Sequence, residues 1–128
     1  MKSKIILLVD DDFDYLFQQR IYLESWGYKV LTADSRSEAE ALLQKVKPDL
    51  AILDLMMEED DSGFILSYKM KRMYPDVPII ISTAVSSETG MTFGIASEDE
   101  QRWIKADRYI EKGMRPEQLK MEIQKLLE

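Results

Sequence analysis

Five short apolar runs, each separated from the next by a longer polar or amphipathic stretch, constrain this chain more than any other feature. Lys4 to Val9, Tyr28 to Ala33, Leu50 to Leu53, Val77 to Ser82 and Arg108 to Glu111 read as strands. The strongest of them show no apolar–polar alternation, so both of their faces must be buried. That is the condition of a parallel sheet with helices on each side. Phe13 to Trp26 carries Phe13, Leu16, Phe17, Ile21 and Leu23 at roughly helical spacing, and Gly27 stands where such a helix would end. Ser35 with Glu38 forms a capping box that opens a helix to about Val46, with Ala39, Leu42, Leu43 and Val46 inward and Pro48 blocking its continuation. Phe64 to Met73 reads as a helix with Phe64, Ile65, Tyr68 and Met73 apolar, and Arg115 to Leu127 as a last helix with Leu119, Ile123 and Leu126 on one face. The small, polar stretch Ala84 to Ser97 reads as a long loop, followed by a short helix over Glu98 to Lys105.

Right-handed crossovers leave few orders for five such strands. The flavodoxin-like doubly wound order 2-1-3-4-5 is one of them. A length of 128 residues fits one domain spanning 1–128. In this type of sheet, ligands bind beyond the carboxyl ends of the strands, near the switch point between strands 1 and 3.

The residue inventory narrows the chemistry. The chain has no cysteine and no histidine. Disulfides, thiolate or imidazole metal sites, and Ser-His-Asp or Cys-His catalysis are therefore excluded. Carboxylates, hydroxyls and lysines remain, and carboxylates without nitrogen or sulfur donors favour hard cations such as magnesium, calcium or manganese. The net charge of −7 argues against general nucleic-acid binding. No stretch approaches the ~20 apolar residues of a membrane span, and the run Ile5 to Val9 is too short for a signal-peptide core, so a cytoplasmic location is expected.

At the expected strand ends stand Asp10-Asp11-Asp12, Asp54, Ser82-Thr83-Ala84 and Glu111-Lys112-Gly113. In the 2-1-3-4-5 order these ends lie side by side. Carboxylates gathered this closely repel one another, and a divalent cation removes the conflict. Magnesium would take one or two of them directly and keep several waters. It would also neutralise the oxygens of an incoming phosphoryl group, so that a carboxylate can attack phosphorus. Lys112 is suited to one phosphoryl oxygen and Thr83 to another.

The segments Ile-Leu-Leu-Val-Asp-Asp-Asp at 6–12, Ile-Leu-Asp-Leu-Met-Met at 52–57, Pro-Ile-Ile-Ile-Ser-Thr-Ala at 78–84 and Tyr-Ile-Glu-Lys at 109–112 resemble the response-regulator receiver family, in order and over nearly the whole chain. The resemblance implies a phosphoacceptor signalling domain that takes a phosphoryl group from a sensor histidine kinase with Mg2+ (or Mn2+) and catalyses only its own phosphorylation and dephosphorylation. It implies that Asp54 is the phosphorylated aspartate. Asp11 would be a direct metal ligand, Asp10 would act mainly through water, and Met56 would lend its backbone carbonyl. Thr83 and Lys112 would contact the phosphoryl group, and Thr83 and Tyr109 would act as the switch. The resemblance also leads us to expect a monomer or a transient phosphorylation-dependent dimer. The last helix closes on Glu128, so the signal is expected to pass to a separate partner, unless the chain is part of a larger protein.

Three positions depart from the family pattern. Glu58 stands where proline is common, and the acidic loop Glu58 to Gly63 is one residue longer. Gly113 replaces the proline that usually follows the lysine. A cis bond before glycine would cost about 3 kcal/mol, so a trans bond is expected, with Lys112 held less firmly. The segment from Thr83 to Lys112 is several residues longer than usual, around Ser86 to Glu100.

Two rival readings compete. A pseudo-receiver would share the fold and act as a protein-binding module without phosphorylation. The presence of Asp10, Asp11, Asp54, Thr83 and Lys112 together argues against it. A haloacid-dehalogenase-like phosphatase would use Asp10 and Asp12 as its Asp-x-Asp pair, but it expects threonine or valine where this chain has Asp14, and it leaves Asp54 without a role. Asp12 and Asp14 read instead as acids at a helix N-terminus.

Overall fold

The apolar runs become five parallel strands in the order β2-β1-β3-β4-β5. The computed structural model describes residues 3–54, 62–83 and 107–127, with the side chains of 62–64 excepted. Along the chain lie β1 (Ile5–Val9), α1 (Phe13–Ser25), β2 (Lys29–Ala33), α2 (Arg36–Lys45), β3 (Leu50–Asp54), α3 (Ser62–Met73), β4 (Ile79–Thr83), β5 (Arg108–Glu111) and α4 (Pro116–Leu127). The expected loop 84–97 and short helix 98–105 lie outside the described residues.

Why both faces of the sheet are apolar is visible in how the period of two divides the strands. Leu7, Val9, Ala51, Leu53, Ile79 and Ile81 point to one side, where α2 covers them with Ala39 and Leu43 and α3 with Leu66 and Met70. Ile6, Leu8, Leu50, Ile52, Ile80 and Ile110 point to the other, under Leu16 and Leu23 of α1 and Leu119 and Ile123 of α4. Each fully buried aliphatic side chain of this set contributes ~1.5–3 kcal/mol relative to exposure. Two carboxylates pin the opposite, N-terminal ends of the strands. Asp49 accepts from the Ile5 N–H at 2.7 Å, and Asp107 accepts from the Ile79 N–H at 2.8 Å while pairing with Lys71 at 3.0 Å.

The helix ends follow the local signals. Ser35 accepts the Glu38 N–H at 3.2 Å, which is the Ser half of the expected box. After α1, Gly27 has φ 93°, a left-handed conformation that glycine adopts without strain. Two helices present faces other than those the spacing suggests. In α1 only Leu16 and Leu23 are buried, while Phe13, Phe17 and Ile21 are exposed. In α3 the inward residues are Leu66, Ser67 and Met70, and Tyr68 and Met73 face outward. Among the described residues no helix is long and apolar enough to cross a membrane.

Candidate functional site

The register decides which residues meet at the carboxyl edge of the sheet. Val9 pairs with Leu53, so Asp10, the next residue, stands beside Asp54 at the end of β3. Asp54 pairs with Ser82, and Thr83 pairs with Glu111, which carries Lys112 to the same edge. Two main-chain bonds hold the flanks. The Asp10 N–H donates to the Ala33 carbonyl at 3.1 Å, and the Lys112 N–H donates to the Thr83 carbonyl at 2.9 Å.

The three consecutive acids after β1 take three different roles. Asp10 is buried, and its Oδ1 accepts the Asp12 N–H at 3.0 Å, which fixes the turn out of the strand. Asp11 is exposed at the mouth. Asp12 is the N-cap of α1 and accepts the Asp14 and Tyr15 N–H groups at 3.0 and 3.2 Å. Its carboxylate is thus turned toward its own helix, with Asp14 in the first turn, as expected of helix-terminal acids. That leaves no Asp10–Asp12 pair of the phosphatase kind.

Asp10, Asp11 and Asp54 each offer a carboxylate oxygen, and these oxygens all lie within 4.8 Å of one another. Asp10 and Asp54 are only 1% and 3% exposed. Their buried Oδ2 atoms share the Lys112 ammonium, at 2.8 Å from Asp10 and 3.3 Å from Asp54. Among the described residues, three carboxylates gather around one ammonium, and negative charge in a partly buried place is costly. A hard divalent cation with oxygen ligands fits this donor set, and an exposed Asp11 leaves the mouth open to the waters that magnesium retains.

Lys112 is tuned by two opposing influences. Burial alone would lower its pKa, but the hydrogen bond and charge of Asp10, followed by the charge and hydrogen bond of Asp54, outweigh it and hold the ammonium above its ordinary value. The aromatic ring of Tyr15, in the first turn of α1, also faces this ammonium, which lies 5.0 Å from the ring centroid. The Tyr15 phenol is pushed up to about 12 by burial and then by the negative charge of Asp10, against the partial relief of Lys112. Tyr15 lies outside the residues that the strand-end pattern singles out. An aromatic three residues after the N-cap, on the turn that follows the acids, was the available signal.

Thr83 is buried at the end of β4, and its hydroxyl donates to the Ile110 carbonyl at 3.4 Å, a long bond between adjacent strand ends. Tyr109 is half-buried on β5 opposite Ile81 and packs against the core on the α2–α3 side, and burial pushes its phenol up to about 12. No cis peptide bond occurs among the described residues, and Gly113 sits in open space, in keeping with the trans bond expected before it. Met56, Glu58 and the acidic loop through Asp61, and the long segment around Ser86 to Glu100, lie outside the described residues.

Comparison with known proteins agrees with this geometry. Residues 6–124 match the response regulator receiver domain family. The response regulator SaeR of Staphylococcus aureus is 34% identical over 122 residues, covering 95% of this chain and 50% of the relative. The chain thus spans about half the length of the curated relatives it matches. Among solved structures, a CheY-like response regulator receiver domain protein from Methanospirillum hungatei superposes with a TM-score of 0.82 at 29% identity, covering 98% of this chain and 94% of that one. The signal receiver domain of a signal transduction histidine kinase from Syntrophus aciditrophicus gives 0.79 at 25% identity, covering 98% and 90%. Strand order, the acidic edge with its lysine, and a family match over almost the full length lead to one conclusion: the chain belongs to the response regulator receiver domain family of two-component signalling.

Proposed function

We propose that this chain accepts a phosphoryl group on Asp54 from a sensor histidine kinase, in a reaction that depends on Mg2+ or Mn2+, and changes its output surface in response. The observation that carries the reading is the meeting of Asp10, Asp11 and Asp54 within 4.8 Å beside Lys112. Asp54 is the acceptor because it ends the central strand β3 at the middle of this group, with an ammonium already 3.3 Å from its oxygen.

In this reading an Asp54 oxygen attacks phosphorus, the bond from phosphorus to the donor nitrogen breaks, and the donor keeps the electron pair. Asp10, Asp11 and Asp54, with the Met56 carbonyl, would hold the cation, which supplies charge neutralisation for the carboxylates and the phosphoryl oxygens. Lys112 keeps its proton throughout and meets a phosphoryl oxygen as a point charge. Thr83 gives up its 3.4 Å bond to the Ile110 carbonyl and donates to the phosphoryl group instead. The shift of β4 against β5 that follows would be read by Tyr109, which is paired to Ile81, two residues before Thr83 on the same strand.

The donor is a protein on this reading. Phe13, Phe17 and Ile21 form an exposed apolar stripe on α1, which starts beside the acidic edge, and such a stripe suits a helical partner surface. A monomer or a transient phosphorylation-dependent dimer is compatible with this reading.

Incubation with acetyl phosphate and magnesium, followed by intact mass, tests the proposal. The wild-type chain should gain one phosphoryl group, and Asp54→Ala should gain none. No gain in the wild type, or an equal gain in the variant, rejects it.

A further inference from the structure

Lys112 meets its two carboxylate partners from the sheet and a third partner from a helix. Asp10 and Asp54 belong to the ends of β1 and β3. Tyr15 belongs to α1, where the Asp12 cap fixes its main-chain N–H at 3.2 Å. The capped turn therefore sets where the Tyr15 side chain leaves the helix, and the ring it carries faces the ammonium. The ammonium lies 5.0 Å from the ring centroid, inside the range of attraction between a cation and the electron-rich face of an aromatic ring.

The three partners are not equivalent. Asp10 and Asp54 belong to the group suited to a divalent cation, so a cation bound there would draw on the same two carboxylates that hold Lys112. The attraction of the Tyr15 face does not depend on them. Beyond Lys112 the chain turns at once, with the Met114 N–H donating to the Glu111 carbonyl at 3.0 Å, and Gly113 brings no side chain to hold the lysine from behind. An ammonium that must leave two carboxylates and meet a phosphoryl oxygen then depends on whatever else faces it.

We propose that Tyr15 is a positioning residue for Lys112: its ring face keeps the ammonium at the mouth of the site once the carboxylates are engaged by the cation and the phosphoryl group. The role rests on the Asp54 acceptor reading. It uses the ring and not the hydroxyl, so phenylalanine fulfils it and an aliphatic residue of similar bulk does not.

Two measurements test it on the full chain. In the unphosphorylated protein, NMR of the lysine ε-methylenes should show Lys112 shifted upfield by the ring in wild type and in Tyr15→Phe, and returned to the ordinary position in Tyr15→Leu and Tyr15→Met. Beryllium fluoride with magnesium, a mimic of the bound phosphoryl group, should bind Tyr15→Phe like wild type, and Tyr15→Leu and Tyr15→Met roughly fivefold more weakly, the span of one partly desolvated cation–ring contact. The wild-type shift needs no variant, so it decides the placement even if a substitution fails to fold. An unshifted Lys112 in wild type overturns the proposal. So does a Tyr15→Phe that is as weak as Tyr15→Leu, or a Tyr15→Leu that binds like wild type. Absence of phosphorylation in wild type overturns the acceptor reading and this role with it, whereas normal phosphorylation with equal beryllium fluoride affinities overturns the role of Tyr15 alone.

Discussion

The Lys112 ammonium lies 2.8 Å from an oxygen of Asp10, a carboxylate that is 1% exposed. One cation thus compensates a buried acid that also stands next to Asp54. Removing it takes a counter-charge from two buried carboxylates, and breaking a buried ion pair typically costs ~3–5 kcal/mol. Lys112→Ala should therefore lower stability by about 3 kcal/mol at neutral pH without divalent cations. Magnesium should recover more stability in the variant than in wild type, because a cation that binds only the folded chain adds to its stability by mass action. Urea unfolding with and without magnesium checks this; an equal loss in both conditions would mean that the lysine and the cation do not share these oxygens.

Asp11 is the member of the trio that can be removed without harm to the fold. It is exposed, and its charge adds to that of two buried carboxylates within 4.8 Å. Asp11→Ala should not lower metal-free stability and should raise it by relieving the repulsion among the three carboxylates. It should weaken magnesium binding at least tenfold, roughly 1.4 kcal/mol. Calorimetric titration with magnesium chloride beside a thermal melt separates the two effects. Retained affinity in Asp11→Ala would move the cation site elsewhere.

The strands and the acidic edge were legible in the sequence because both are local signals. Ile79, Ile80 and Ile81 leave a strand no polar face, and Asp10 and Asp54 each end such a run. The crossover rule then brought those ends together without side-chain detail. The helix faces were less legible. In α1, Phe13, Phe17 and Ile21 repeat at a spacing of four and read like a core face, yet the buried pair is Leu16 and Leu23. Periodicity identifies an apolar stripe, but it does not say whether the sheet or another surface covers it. The contact of Tyr15 with Lys112 was not legible for a different reason. It joins the first helix to the turn after the last strand, and no spacing rule links residues so far apart.

High pH should destabilise the chain through its buried phenols. Tyr109 and Tyr15 ionise at about 12 in the folded chain and near 10.0 in the unfolded one. Between these values the unfolded state has released protons that the folded state still holds, so stability falls as pH rises. Lys112, whose folded pKa is raised mainly against burial by Asp10, acts in the same direction: its contribution is complete below its ordinary pKa and is lost as pH climbs through the folded one. Urea midpoints should be flat up to about pH 9 and then drop. Tyr109→Phe, which has no phenol to ionise, should drop less steeply. A variant slope equal to that of wild type would remove Tyr109 from the explanation.

The exposed stripe on α1 predicts a separation between two ways of delivering phosphate. Phe13, Phe17 and Ile21 are 69%, 67% and 50% exposed and recur at a spacing of four, so they lie along one side of the helix. Being exposed, they contribute little to the fold, and Phe13→Ala with Phe17→Ala should change stability by no more than about 0.5 kcal/mol. A small donor reaches Asp54 without touching them, so acetyl phosphate should label the double variant at the wild-type rate. A phosphorylated sensor kinase that labels the wild-type chain should label the variant about tenfold more slowly, since large aromatic side chains are where interface energy concentrates and the loss of one such anchor costs more than 1 kcal/mol. Equal slowing with both donors would place the effect in the acidic site itself. Equal labelling by the kinase would show that its docking surface lies away from the outer face of α1.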